Sequence, residues 1–185
     1  MSAPGEWWMR WRVRLGYPVA LLTLWLAQPT SATLAVGAIW ATVGLIIRAK
    51  AAGHLRKHEQ LATTGPYART RNPLYYGSAF VAFGFLVAAN SWVAAIVGAV
   101  YFGIFYRAVM KREAEELRAR YGTAYEEYAA RVPLFLPRMP AWAEMLARRY
   151  EEFSWEQYRR NREYQAALGA VLALGILAAK MWFQS

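Results

Sequence analysis

The sequence predicts an all-α, multi-pass transmembrane helical bundle of about five spans, capped on its cytoplasmic side. Three observations carry this. First, 57% of the 185 residues are hydrophobic and 18% charged, where a soluble domain carries roughly 45–50% and about 25%. Second, Leu15–Ile47 and Asn72–Tyr106 are uncharged runs of 33 and 35 residues. Third, the cations fall almost entirely on one side of the chain path that those runs imply.

A spanning helix needs about 20 apolar residues at 1.5 Å each, so each run is too long for one helix. Turn chemistry divides them, at Gln28-Pro29-Thr30-Ser31 and at Asn90-Ser91. The expected spans are 13–27 with 32–47, and 74–89 with 92–106. A fifth, 164–183, begins with the uncharged stretch Tyr164–Ala179 and runs past Lys180, which is near enough to the end to snorkel.

With five spans, 21 of the 22 basic residues lie on one side and Lys180 alone on the other. The positive-inside rule then places the N-terminus and both long loops in the cytoplasm. The topology accounts for nearly every cation of a +10 chain, which removes the need for a nucleic-acid partner. Arg10–Arg14 lead into a helix that turns straight back, so no cleaved signal peptide is expected. Ala- and Arg-rich composition suits a bacterial inner membrane. With no Cys, no Asp and two His, thiolate chemistry, Cys-ligated zinc and a Ser-His-Asp triad are excluded.

On the cytoplasmic side, 107–137 begins as a continuation of the fourth span, with acids and bases alternating at helical spacing to a cap at Tyr121-Gly122. Val132-Pro133-Leu134-Phe135-Leu136-Pro137 follows, an apolar, proline-bounded segment unsuited to helix or central strand. Trp142, Leu146, Tyr150 and Phe153 then form a stripe, which predicts an amphipathic helix over 141–163.

Two constellations carry chemistry. Gly65-Pro66-Tyr67-Ala68-Arg69-Thr70-Arg71-Asn72-Pro73-Leu74-Tyr75-Tyr76-Gly77 combines a Gly-Pro turn with an Asn-Pro helix start, so free N–H groups, a guanidinium and tyrosines meet at the cytoplasmic end of the third span. Arg112-Glu113-Ala114-Glu115-Glu116-Leu117 lies on the extension of the fourth. Read singly, each is ordinary interfacial anchoring, and Glu116 with Arg120 is a helix pair worth only ~0.2–0.5 kcal/mol. His54 and His58 share a helical face, but Glu59 points elsewhere and no third ligand is found. No metal site is expected.

Taken in order over about residues 59–137, these motifs resemble the superfamily of integral membrane methyltransferases. It includes the isoprenylcysteine carboxyl methyltransferases and the phospholipid N-methyltransferases. Tyr121-Gly122, Tyr125, Tyr128 and the 132–137 segment belong to the same pattern. The resemblance implies S-adenosylmethionine held in a cytoplasmic cofactor region formed by 59–76 and 107–137, and a lipophilic acceptor arriving from the bilayer. By position, cofactor contacts fall on Gln60, Leu61, Ala62, Tyr67, Asn72, Pro73, Leu74, Tyr75 and Glu113. Glu116, on the same face as Glu113, stands in for the second glutamate of the family pair, where this chain has Ala114. Glu113 suits the methionyl ammonium, the helix N–H groups at Pro73 its carboxylate, and the tyrosines the sulfonium or adenine.

The family's Arg-His-Pro is Arg71-Asn72-Pro73 here, which keeps hydrogen bonding but removes a general base. The basic residue that meets the acceptor carboxylate in carboxyl methyltransferases has no counterpart at Val109, so Arg107, Lys111 or Arg112 must serve. Arg71 and Arg112 are the expected catalytic residues. No G-x-G occurs, so the cofactor site is of a non-Rossmann kind. A non-catalytic membrane scaffold of the same fold, and an NADPH-dependent relative of the sterol reductases, are the competing expectations. A homodimer face through Gly169 and Gly175 completes the set.

Overall fold

Small residues decide how the helices of this chain meet. In the computed structural model, which describes residues 4–56, 60–138 and 153–184, the tightest pairing joins α2 (Ser31–His54) and α3 (Pro73–Ala89). Their backbones touch at Gly44 and Gly77: a Cβ added at Gly44 would stand 2.6 Å from the Gly77 carbonyl, and one at Gly77 2.7 Å from that of Gly44. Gly37 and Gly84 repeat the contact two turns along, beside buried Ala41 and Ala88. Helices that present only hydrogen and methyl groups can approach this closely and gain dispersion over their whole length.

The remaining helices are α1 (Pro4–Leu26), α4 (Trp92–Tyr121), α5 (Thr123–Arg131), α6 (Trp155–Arg160) and α7 (Tyr164–Gln184). A one-turn 3-10 helix, Gly65–Ala68, precedes α3. α1 lies along α4, where the Tyr101 hydroxyl faces Gly16, and α7 lies against α2 and α3.

Local chemistry sets the boundaries. Thr30 and Thr33 exchange backbone-to-hydroxyl bonds in a capping box that starts α2. Pro73 occupies the first turn of α3, and Asn90 ends that helix in the left-handed region at φ 50°. The Ser91 hydroxyl caps α4. The turns after α1 and α3 are joined to each other, since the Gln28 amide donates to the Ala89 carbonyl at 2.8 Å and the Asn90 side chain to the Gln28 carbonyl at 2.9 Å. Lys180 belongs to the same end. Its ammonium donates to the Leu24 and Trp25 carbonyls at 2.6 and 2.7 Å, neutralising the C-terminal pole of α1.

α2, α4 and α7 are each long and apolar enough to cross a membrane, by length and composition; Arg14–Leu26 and Pro73–Ala89 are shorter apolar helices. Among the described residues all regular structure is helical. Leu21, Ile39, Ile96, Val100, Leu168 and Val171 stand exposed on these helices, an apolar exterior far larger than soluble monomers carry.

Helix lengths differ from the expected segments where charged residues begin. The segment 32–47 continues as helix to His54, and 92–106 is the first half of a 30-residue helix ending at Tyr121. Of the amphipathic helix expected over 141–163, residues 141–152, with Trp142, Leu146 and Tyr150, lie outside the described residues. The described part is interrupted: α6 ends at Arg160, and a turn with Arg162 at φ 54° precedes α7.

Candidate functional site

The site is assembled where the chain leaves α2, enters α3 and runs out along α4. Gly65 takes φ +56° there, and a Cβ on it would strike the His54 ring at 2.5 Å; only glycine fits both demands. His54 in turn holds the Lys50 carbonyl through Nδ1 at 2.7 Å.

Residues 69–72 are then pinned by the proline-bounded segment. The Arg71 amide donates to the Pro133 carbonyl at 2.9 Å and the Arg138 amide to the Arg69 carbonyl at 2.8 Å. The Thr70 hydroxyl donates to the Phe135 carbonyl at 2.8 Å, and the Asn72 side-chain amide to the Leu134 carbonyl at 2.9 Å. A segment that can form neither helix nor regular strand thus finds its hydrogen-bond partners across the chain. Beneath it, Tyr125, Tyr128 and Val132 form a buried cluster with Leu61, Ala114, Leu117 and Tyr121. Tyr128 donates its buried hydroxyl to the Tyr67 carbonyl at 2.6 Å.

At the first turn of α3, the Tyr75 hydroxyl donates to Glu113 Oε1 at 2.5 Å, and the Tyr75 ring meets Tyr106 edge-on. The chain's third and fourth apolar helices are therefore joined by a tyrosine–glutamate bond at their polar ends. Arg112 Nε donates to Glu116 Oε1 at 2.8 Å, while its Nη1 is buried without a partner. Arg71 Nη1 donates to the Tyr125 hydroxyl at 3.1 Å, with Nε likewise buried and unpartnered. A buried guanidinium N–H without an acceptor is costly, so both arginines favour an incoming oxygen anion.

Tyr67 is buried and reads the charges around it. Burial pushes its hydroxyl well above the ordinary tyrosine range, with Tyr128, Glu113 and Glu163 adding to the rise and Arg48 opposing it. Tyr128 is also raised, by burial first and by Tyr125 second, against the pull of Arg71. Both stay protonated hydrogen-bond donors at neutral pH.

The structure gathers Tyr67, Asn72, Pro73, Leu74, Tyr75 and Glu113 around the polar end of α3. Their groups are not equally free. Pro73 is fully buried, the Asn72 amide is committed to Leu134, and the Leu74 carbonyl accepts from Ser78 and Arg48. Leu61 packs on the tyrosine cluster, Ala62 is half-buried, and Gln60 is exposed. Glu116 is also largely exposed beside Arg112. His58 and Glu59 lie outside the described residues.

Sequence reasoning missed the Arg48–Glu163 pair. Arg48 Nε and Nη2 bind Glu163 at 3.0 and 2.8 Å in a two-pronged bridge, and Nη1 reaches the Ser78 hydroxyl at 2.5 Å and the Leu74 carbonyl at 3.4 Å. In the sequence each residue is simply the charged limit of an uncharged run, Arg48 after Ile47 and Glu163 before Tyr164. Opposite signs bounding two spans at one membrane end were the available signal.

Residues 15–124, more than half of the chain, match the family described as phospholipid methyltransferase. The chain is 34% identical over 120 residues to the nickel-cobalt-cadmium resistance protein NccN of Alcaligenes xylosoxydans xylosoxydans, a match covering 65% of this chain and 51% of that protein. It is 33% identical over 119 residues to the cobalt-zinc-cadmium resistance protein CzcN of Cupriavidus metallidurans, covering 64% and 50%. The chain thus spans about half the length of these curated relatives. No solved structure matches it.

Proposed function

Because the chain belongs to the phospholipid methyltransferase family, we propose that it transfers a methyl group from S-adenosylmethionine to a lipophilic acceptor at the cytoplasmic face of a bacterial inner membrane. In this reading the five apolar helices all span, with the N-terminus and the polar ends of α3 and α4 in the cytoplasm. The acceptor presents a carboxylate, amine or hydroxyl from the bilayer.

The observation that carries the reading is the Tyr75–Glu113 bond, with Arg71 four residues before one partner and Arg112 next to the other in the chain, each holding an unpartnered buried nitrogen. The residues present suit the donor molecule. Glu113 is the carboxylate for the ammonium of its methionyl part, and the N–H groups at the start of α3 meet the carboxylate. Tyr67 and Tyr75 offer π faces to the adenine or sulfonium. When bound, S-adenosylmethionine supplies the activated methyl group. The chain's own contribution is alignment and exclusion of water.

Arg112 Nη1 and Arg71 Nε are the groups that bind an acceptor anion and hold it in line. A carboxylate acceptor needs no base; an amine or hydroxyl acceptor gives its proton to solvent or to a glutamate, because the Asn72 amide cannot accept it. The purified protein, given tritiated S-adenosylmethionine and a membrane lipid extract, should place label in the organic phase. Label confined to the aqueous phase with every lipid fraction would refute the activity and leave the scaffold reading.

A further inference from the structure

The chain outside the matched region reaches back into this site. The Phe153 ring covers Gly53, the Ser154 amide donates to the Gly53 carbonyl at 3.3 Å, and the Asn161 side chain donates to the carbonyls of Ala52 and Leu55, both at 2.9 Å. These bonds satisfy the carbonyls left over at the end of α2, as a C-terminal cap must. One residue after Asn161 the chain turns at Arg162 and delivers Glu163 against Arg48.

The geometry of that pair is specific. The Glu163 side chain is 10% exposed and that of Arg48 20%. Every guanidinium nitrogen of Arg48 is engaged: two on Glu163, and the third on the Leu74 carbonyl and Ser78 hydroxyl. The stem of Arg48 lies on Gly77, where a Cβ would meet its Cγ at 2.7 Å. Arg48 therefore grips the first turn of α3 on both sides of Tyr75, the residue that reaches Glu113. Tyr67 lies within electrostatic reach of Glu113, Glu163 and Arg48 alike, so the pair and the donor site share one neighbourhood.

We propose that Glu163, acting through Arg48, is a positioning residue that fixes the first turn of α3, and so sets the affinity of the site for the methyl donor. The inference rests on the donor site proposed above. A largely desolvated pair is a better positioning device than a stability device, because desolvation offsets most of its Coulombic gain while its fork geometry admits one orientation. Removing one partner frees Arg48 to swing away from Leu74 and Ser78, and Tyr75 loses its fixed approach to Glu113.

The test uses the full-length protein in detergent and compares Glu163→Gln, Arg48→Lys and Asn161→Ala with wild type. The readouts are calorimetric affinity for S-adenosylmethionine and thermal unfolding. Asn161→Ala loosens the same C-terminal segment without touching the α3 turn. All three variants should lower the melting temperature; Glu163→Gln and Arg48→Lys should weaken donor binding about tenfold, whereas Asn161→Ala should change it less than twofold. Equal affinities in wild type and Glu163→Gln would overturn the inference and leave the donor site standing, as would an equal loss in Asn161→Ala. A wild-type protein that binds no donor would overturn both.

Discussion

The α2–α3 interface and the junction at the polar ends of α3 and α4 are built on opposite principles. Between α2 and α3, contact along the helices is backbone to backbone through Gly37, Gly44, Gly77 and Gly84, with Arg48 adding polar bonds to Leu74 and Ser78 at one end. At the junction, contact is made by side chains aimed at carbonyls: Tyr128 on Tyr67, Asn72 on Leu134, Thr70 on Phe135. The first region tolerates no added volume, the second no lost polar group. Only the second keeps buried donors without acceptors, on Arg71 and Arg112. A ligand is expected where a structure leaves hydrogen-bonding capacity unspent, and that is the junction.

The contrast is sharpest for substitutions that enlarge the first region. Gly44→Val places new atoms within 2.6–2.7 Å of the Gly77 carbonyl and Val81, so α2 and α3 must separate along their length. Overpacking alone costs about 1–3 kcal/mol, and here rigid backbone is the neighbour. The variant should fail to accumulate as a monodisperse species in size-exclusion chromatography in detergent. A well-folded Gly44→Val would break the comparison.

Next in size is the loss of a charged group at the junction. Arg112→Ala should leave folding and donor affinity near wild type and lower methyl transfer about tenfold or more. That corresponds to a charge-assisted hydrogen bond of about 1.5–3 kcal/mol, and is read as kcat/KM for the acceptor. An unchanged kcat/KM would move the acceptor site away from Arg112.

Smaller effects probe the carbonyl-directed bonds. Tyr128→Phe removes the hydroxyl that satisfies Tyr67, and should cost about 1–3 kcal/mol in urea or thermal unfolding while sparing the α2–α3 interface. The same residue supplies a pH signature. Burial holds both Tyr67 and Tyr128 above the ordinary value near 10. The folded state therefore retains its protons longer than the unfolded chain. Stability should be insensitive to these groups below pH about 10 and should fall as pH rises beyond it. Melting temperatures at alkaline pH should fall less steeply for Tyr128→Phe than for wild type.

Smallest of all is Asn72→His, which puts back the family's residue. A ring N–H can replace the amide on the Leu134 carbonyl, so thermal stability should shift by less than about 1 kcal/mol. A large loss of stability would show that the bond to Leu134 demands the amide's reach.

Much of this was readable from the chain. The helices follow from uncharged runs broken at Gln28–Ser31 and at Asn90-Ser91, because turn residues and missing charges are local properties. The Gly-Pro-Tyr and Asn-Pro-Leu-Tyr motifs could be placed beside Glu113 only through the family pattern, since no periodicity relates residues 38 positions apart. What stayed hidden depends on three-dimensional return paths. Arg48 and Glu163 are 115 positions apart and each is fully explained, locally, as the edge of a span. Asn72 read as a departure from a catalytic pattern, and in the structure its amide is a strut for the 132–137 segment. Side-chain-to-carbonyl bonds of this kind carry no sequence period, so patterning could not announce them.

Titration of S-adenosylmethionine into detergent-purified wild type and Glu113→Gln by isothermal calorimetry tests the central claim most directly. The account predicts a saturable heat for wild type and its loss, by about a hundredfold or more in affinity, for a Glu113→Gln variant that melts near the wild-type temperature. Equal affinity in the two proteins, or no binding to either, would contradict it.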